Sequence, residues 1–263
     1  MSGREAALAA LLTTQTLGRS LQYFDELDST NRYLKDTGAS LPHGTVCFAA
    51  MQSEGRGRLG RRWTAPAGQA LAMSVLLKGA DGAPQLPLLC GLAAAGALGE
   101  LAGSGFGIKW PNDIICKGRK VCGILCESRP APDGRFLVAG IGVNLAQSDV
   151  WFRRAELPHA GSVKGLTGVT LSLEETAAAV LNRLEPLWER YEREGFAPFA
   201  AAYAARCVHV GKKLRVLGPD GTIRLEGEGA GVDEDGNLLV LSGGEIVPVA
   251  AGEVSLRGAE GYI

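Results

Sequence analysis

Gly55-Arg56-Gly57-Arg58-Leu59-Gly60-Arg61-Arg62-Trp63 gathers four arginines and three glycines into nine residues of a 263-residue chain whose formal net charge is only −1. Glycine lets the backbone turn tightly and bring its N–H groups against a ligand. Arginine adds a planar fork of donors that matches a carboxylate or a phosphate. A solvated basic loop is one alternative reading, and a nucleic-acid patch is another. Such patches come with a basic surface or domain, which this charge balance does not supply. The stretch reads as a site for a small anion, fed by the strand-like run Thr45 to Ala50.

Outward from that loop, the chain has the texture of a folded globular protein with 46% apolar residues. Its 37 glycines, about twice average usage, are spread through turns and form no low-complexity tract. Six cysteines lack any Cys-x-x-Cys pair, and with three scattered histidines they argue against zinc and for reduced, buried thiols. The apolar run Ala6 to Leu12 is too short to span a membrane, so a cytoplasmic protein is expected.

Residues 5–17 read as a short helix, Leu71 to Leu77 as a strand, and the alanine- and leucine-rich Leu86 to Leu101 as a buried helix. Short strands follow around Gly107 to Lys109, Ile114 to Cys116 and Lys120 to Glu127, then a longer one from Arg135 to Val143. Ser172 with Glu175 three residues on is a capping box, opening a helix to about Arg193. Pro198 to Cys207 reads as a second, shorter helix. After Cys207 come four short strands (Lys213 to Leu217, Thr222 to Glu228, Leu238 to Leu241, Ile246 to Val249) separated by glycine-rich turns. That change of texture predicts a small all-β barrel, with domains at 1–208 and 209–263.

Four further segments carry polar chemistry where plain core strands would not. Asp28-Ser29-Thr30-Asn31 reads as a helix N-cap or as hydroxyl and amide groups for a polar ligand head. Gln52, three residues before the loop, offers both a donor and an acceptor. In Lys109-Trp110-Pro111-Asn112-Asp113, proline restricts Trp110 and fixes a turn. Lys109 supplies a point charge suited to phosphate, and Asn112 and Asp113 offer oxygens through which Mg²⁺ can hold phosphates. A capped turn with Trp110 in the core is the plain alternative. Gly118-Arg119-Lys120-Val121-Cys122-Gly123-Ile124-Leu125 reads as a hairpin entering an apolar strand, with Gly123 allowing close approach. Gly140-Ile141-Gly142-Val143-Asn144 ends the long strand with two glycines and an asparagine, a plain turn being the alternative.

Together and in this order, these motifs resemble those of the biotin protein ligases, also called biotin–[acetyl-CoA-carboxylase] ligases. The resemblance covers nearly all of residues 20–263 and includes Gly252-Glu253-Val254-Ser255-Leu256-Arg257. The related lipoate ligases differ at the arginine loop and at Lys-Trp-Pro-Asn-Asp.

The resemblance implies an α+β fold, with a mixed sheet packed by helices like the catalytic domain of class II aminoacyl-tRNA synthetases, plus an SH3-like barrel. It implies joining of biotin to ATP, with Mg²⁺, to give biotinyl-5′-adenylate. The biotinyl group then passes to one lysine of a biotin carboxyl carrier protein. Carried over residue by residue, it places Ser29, Thr30, Asn31, Gln52, Gly55, Arg56, Gly57, Arg58, Lys120 and Gly123 around biotin. Arg58, Arg61, Trp63, Lys109, Asn112, Asp113 and Asn144 go to the ATP side, with Arg58, Lys109 and Lys120 as the catalytic set. The loop is expected to order when ligand binds.

Residues 146–170 match the family poorly, leaving Trp151 as a candidate adenine cover. Only 28 residues precede Ser29, too few for the DNA-binding domain that some members carry. A monofunctional enzyme without operator binding is therefore expected. Side-by-side homodimers through the large sheet belong to the same resemblance. A ligand-sensing regulator and a carrier-binding module without catalysis are the competing classes.

Overall fold

Ala70–Lys78 places apolar residues on both sides of its backbone, and every residue but the last is buried, so it lies in the middle of a sheet. This strand, β3, belongs to a seven-stranded sheet with β1 (Leu21–Leu27), β2 (Val46–Gln52), β4 (Phe106–Lys109), β5 (Asp113–Cys116), β6 (Arg119–Ala131) and β7 (Gly134–Asn144). The spatial order is β1-β2-β3-β7-β6-β5-β4, with β1 and β2 parallel and the other neighbours antiparallel. The structure, a computed structural model, describes residues 1–79, 82–103, 105–131, 134–252, 254–258 and 261–262. Glu253 of the quoted motif lies outside the described residues.

Alternation along the strands sorts the two faces. Val46 and Phe48 of β2, Val75 and Leu77 of β3, and Leu137, Ala139, Ile141 and Val143 of β7 enter one core. The helices α3 (Leu86–Ala102) and α6 (Leu173–Glu194) cover it and pack on each other, with α1 (Gly3–Leu11) beyond them. Cys47, Leu76, Phe136 and Val138 point the other way, beneath α2 (Thr30–Thr37). On that second face β7 carries Phe136 and Val138 under the helix and then Gly140 and Gly142 beyond it. The strand thus changes from packing surface to open floor within four residues. Short helices α4 (Asp149–Arg154), α5 (Val163–Thr167) and α7 (Ala197–Ala204) complete this part.

The second sheet is separate and antiparallel. Its strands are β8 (Lys213–Leu217), β9 (Ile223–Val232), β10 (Leu238–Ser242), β11 (Glu245–Val249) and β12 (Ser255–Gly258), in the order β11-β10-β9-β8-β12. The segment that leads into it from α7 is bonded to β4, where Ile108 N–H donates to the Arg206 carbonyl (2.8 Å) and Val208 N–H donates to the Ile108 carbonyl (2.9 Å). Trp110 Nε1 donates to the Gly236 carbonyl at 3.0 Å. No helix among the described residues is long and apolar enough to cross a membrane.

Several elements depart from the sequence reading. The first helix ends at Leu11, not at residue 17. The chain after it turns around the carboxylate of Glu185, which accepts the backbone N–H groups of Gln15, Thr16 and Leu17 at 2.6–2.8 Å. β1 is an outer strand whose half-exposed Leu21-Gln-Tyr-Phe-Asp-Glu-Leu27 lacks a clean alternation. The helices α4 and α5 are too short to give a periodic signal. Gly140-Ile141-Gly142-Val143-Asn144 ends β7 as strand, as the long-strand reading has it, and the alternative of a plain turn fails. The capping box at Ser172 forms as expected.

Candidate functional site

Ser29 caps α2 by accepting from the Arg32 N–H, so the cap reading of Asp28-Ser29-Thr30-Asn31 holds. The same cap also lies in a cavity. The helix N-terminus opens at one end of a pocket of about 480 Å³ on the α2 face of the sheet. Ser29, Thr30, Asn31 and Gln52 line it together with Arg56, Gly57, Arg58, Trp63, Lys120 and Gly123. Gly140 and Gly142 form part of its floor.

The polar end of this pocket is wired into one network. Gln52 Oε1 accepts from Thr30 N–H at 2.8 Å and from the Thr30 hydroxyl at 3.1 Å. The buried Ser74 hydroxyl donates to Asn31 Oδ1 at 2.6 Å. Asn31 Nδ2 donates to the Leu125 carbonyl (3.1 Å) and to Glu127 (2.8 Å), which also pairs with Lys35 at 2.6 Å. Burial would raise the Glu127 carboxyl, but its bonds to Lys35 and Asn31 hold it below its ordinary value. Both polar atoms of the Asn31 side chain are therefore committed to the protein. Its side chain fixes α2 to β6, and a Cβ on Gly140 would collide with it.

The Gly-Arg loop is a closed hairpin. Gly57 N–H donates to Arg61 at 2.7 Å and Trp63 N–H to Gly55 at 2.9 Å. Leu59 and Gly60 at its tip have φ of 56° and 71°, the left-handed region where glycine costs least. Gly55 is buried at the hinge and lines neither cavity, whereas Arg56 projects outward at the pocket rim. Trp63 lies over Gly123 and Gly142, which face each other across β6 and β7.

Arg58 is the turning point. Its Nη1 donates to Asn112 Oδ1 at 2.8 Å, and its Nη2 to the Gly252 carbonyl at 2.5 Å. Burial lowers its pKa from the ordinary value, against the attraction of Asp113. Beyond it opens a cleft of about 1350 Å³, lined by Arg61, Lys109, Asn112, Asp113, Asn144 and Arg257, among others. Gly57, Arg58, Trp63, Asn112 and Lys120 line both cavities.

Lys109 is buried in this cleft, and burial pushes its pKa down to about 7, with Arg257, Lys120 and Arg61 adding to the effect and Asp113 opposing it. Asp113 Oδ1 pairs with Lys120 Nζ at 2.6 Å, and its Oδ2 accepts the Tyr262 hydroxyl at 2.6 Å. Burial favours the neutral carboxyl, but Lys120, Tyr262 and Lys109 outweigh it and hold Asp113 below its ordinary value. Asn144 donates to the Gly161 carbonyl (3.1 Å) and accepts from Gln147 (2.9 Å), tying β7 to the loop after α4.

All sixteen sequence-selected residues except Gly55 thus line one of two adjoining cavities. Trp151 does not, since its ring packs edge-on against Phe152 at 5.2 Å, and residues 156–160 line the cleft instead. Ser74, Glu127, Gly140, Gly142 and Tyr262 escaped the sequence reading. The two glycines stood in a quoted motif, but Ser74 and Glu127 sit in unremarkable apolar strands. Of the cysteines, Cys47, Cys90, Cys116 and Cys122 are buried, and all six are free thiols.

Comparison with known proteins identifies the family. Residues 23–144 match the biotin/lipoate A/B protein ligase family, and residues 209–257 match the biotin protein ligase C-terminal domain. The chain is 33% identical over 247 residues to the bifunctional ligase/repressor BirA of Escherichia coli, covering 92% of this chain and 76% of that protein. It is 36% identical over 240 residues to the biotin–[acetyl-CoA-carboxylase] ligase of Paracoccus denitrificans, covering 85% of this chain and 95% of that one. A biotin protein ligase from Aquifex aeolicus, solved in complex with biotin and ATP, superposes with a TM-score of 0.81 at 31% identity. It covers 92% of this chain and all of that one, 100%.

Proposed function

The chain belongs to the biotin protein ligases within the biotin/lipoate ligase family, and we propose that its two adjoining cavities divide the reaction between biotin and ATP. The enzyme activates biotin with ATP to biotinyl-5′-AMP and passes the biotinyl group to a lysine of a biotin carboxyl carrier protein. What carries the division of labour is the shared wall. Gly57, Arg58, Trp63, Asn112 and Lys120 border both cavities, so groups bound on either side meet at Arg58.

In this reading biotin lies in the smaller pocket. Ser29, Thr30 and Gln52 hold its polar ring system at the α2 cap, and Trp63 covers the glycine floor. Its carboxylate reaches Arg58 and Lys120, flanked by Arg56. The triphosphate lies along Lys109, Arg61 and Asn112, with Asn144 holding the loop above it. Two anions repel, so the site must neutralise both and align the carboxylate with the α-phosphorus. A carboxylate oxygen then bonds to that phosphorus as its bond to the bridging oxygen breaks, and the electron pair leaves with diphosphate. In the second step the carrier's amine attacks the acyl carbon and AMP leaves. Asp113 keeps Lys120 in place through their 2.6 Å pair.

Magnesium fits this cleft as an ion carried by the nucleotide. Asn112 and Asp113 are adjacent hard oxygen donors, and among the described residues no group of three or more His, Cys, Asp or Glu could hold a metal by itself. When bound it would neutralise phosphate charge, with most of its ligands coming from phosphate and water.

The finer architecture is part of the same proposal. Residues 1–208 are a class II synthetase-like catalytic unit and 209–263 an SH3-like one, supported by the antiparallel five-stranded order. The near-neutral charge supports action without DNA. A gel shift with a biotin operator at physiological salt would overturn that.

The test is biotin-dependent ATP–pyrophosphate exchange on the purified protein, beside Arg58→Ala. Exchange that requires biotin and falls by about a hundredfold or more in the variant supports the assignment, since each charge-assisted contact contributes about 1.5–3 kcal/mol. Exchange with lipoate or octanoate instead would keep the fold and change the substrate.

A further inference from the structure

Lys109 is 3% exposed, although the proposed function needs its ammonium to meet a phosphate. What lies on it is Tyr262, from the segment that follows β12. The Lys109 ammonium stands 3.3 Å from the centre of the Tyr262 ring and donates to the Tyr262 backbone carbonyl at 2.8 Å. The phenol donates to Asp113 Oδ2 at 2.6 Å. On its other side the ring stacks on His159, with centroids 5.1 Å apart and planes within 11°. The Arg257 guanidinium lies 5.5 Å from the same ring.

These contacts imitate a nucleotide group by group. A flat ring stacks on an imidazole at the rim of the cleft, a carbonyl oxygen accepts a hydrogen bond from the lysine, and a hydroxyl donates to the carboxylate placed to help hold Mg²⁺. All four partners (Lys109, Asp113, His159, Arg257) line the larger cleft. None of the contacts reaches the smaller pocket, whose lining does not include Tyr262.

We propose that Tyr262 is a built-in, displaceable occupant of the nucleotide cleft, an intrasteric brake that competes with ATP and leaves biotin binding untouched. ATP must lift it to reach Lys109, and its departure bares the His159 ring as a stacking platform. The proposal rests on the ligase reading of the cleft. The contacts to be broken are two cation–π contacts, one ring stack and two hydrogen bonds, each individually modest. The brake is therefore weak enough for a nucleotide to release.

Burial and the neighbouring Asp113 raise the Tyr262 phenol, which keeps it protonated as the donor this contact needs.

The experiment is equilibrium binding of ATP and, separately, of biotin to the full chain and to Tyr262→Ala, with Tyr262→Phe as a milder variant that keeps the ring. The expected result is roughly tenfold tighter ATP binding in Tyr262→Ala, a smaller gain in Tyr262→Phe, and unchanged biotin affinity in both. ATP binding that is equal or weaker in Tyr262→Ala, with biotin still bound normally, would overturn the proposal and make Tyr262 part of the binding wall. Failure of the ligase reading looks different: neither protein would bind ATP or support biotin-dependent exchange, and the proposal would fall with it.

Discussion

Trp63 rests on Gly142 so closely that a Cβ built on the glycine would come within 2.7 Å of the indole. The backbone of Gly142 is ordinary strand, paired with Gly123 on one side and Ala72 on the other. A side chain is excluded there by the loop alone.

Gly142→Ala therefore separates the loop from the fold. The strand accepts alanine, so the melting temperature should move by only a few degrees. Trp63, however, must lift, and overpacking of this kind costs about 1–3 kcal/mol. The KM for biotin is expected to rise about tenfold or more, measured by biotin-dependent exchange. An unchanged KM would show that Trp63 does not cover the bound ligand.

Lys109 makes the enzyme sensitive to alkali. Its folded pKa is about 7, below the ordinary 10.5, because burial disfavours the ammonium. Between these values the unfolded chain binds more protons than the native one, so this group's contribution to stability grows as pH rises from about 7. Nucleotide binding runs the other way. The cation is what meets phosphate, so above pH 7 ATP must bring a proton with it, and kcat/KM for ATP should fall with rising pH. Lys109→Arg, which does not deprotonate in this range, should flatten that profile even if its maximum is lower. A profile in the variant as steep as in the wild type would assign the titration elsewhere.

Asn31 is placed as a strut more than a ligand contact. Its amide holds Leu125 and Glu127, and its oxygen takes the Ser74 hydroxyl. Asn31→Ala strands these groups in a buried place, at about 1–3 kcal/mol. Chemical denaturation should show that loss, with an unchanged m-value.

Glu185 ties the first part of the chain to α6 through three backbone N–H groups. Glu185→Gln keeps the shape but replaces an anion that accepts all three with a neutral amide. A loss of about 1–3 kcal/mol is expected, with exchange kinetics at 25 °C little altered. Equal stability would mean that water serves those amides as well.

The parts that the sequence revealed are those where local chemistry repeats or concentrates. Apolar runs announced β3, β7 and α3. The Ser172 box announced α6, and glycine with arginine announced the loop. The hidden parts depend on partners far away along the chain. Nothing near Thr14-Gln15-Thr16 foretells Glu185, some 170 residues on. Ser74 looks like any polar residue in an apolar strand until α2 brings Asn31 to it. Gly140 and Gly142 leave a turn open as an alternative because glycine is commonest there. They are strand residues whose missing side chains make the cavity, a role visible only once Phe136 and Val138 show which face they share. Tyr262 sits in no motif.

Arg58 donates to Asn112 in the first sheet's hairpin and to the Gly252 carbonyl just before β12 in the second. The same guanidinium borders both cavities. Such a molecule resists being assembled from interchangeable parts. A hybrid that drew its second sheet from another protein would keep every arginine of the loop and still lose the oxygen that aims the central one. Inheritance of the two sheets as a single unit is the expected consequence.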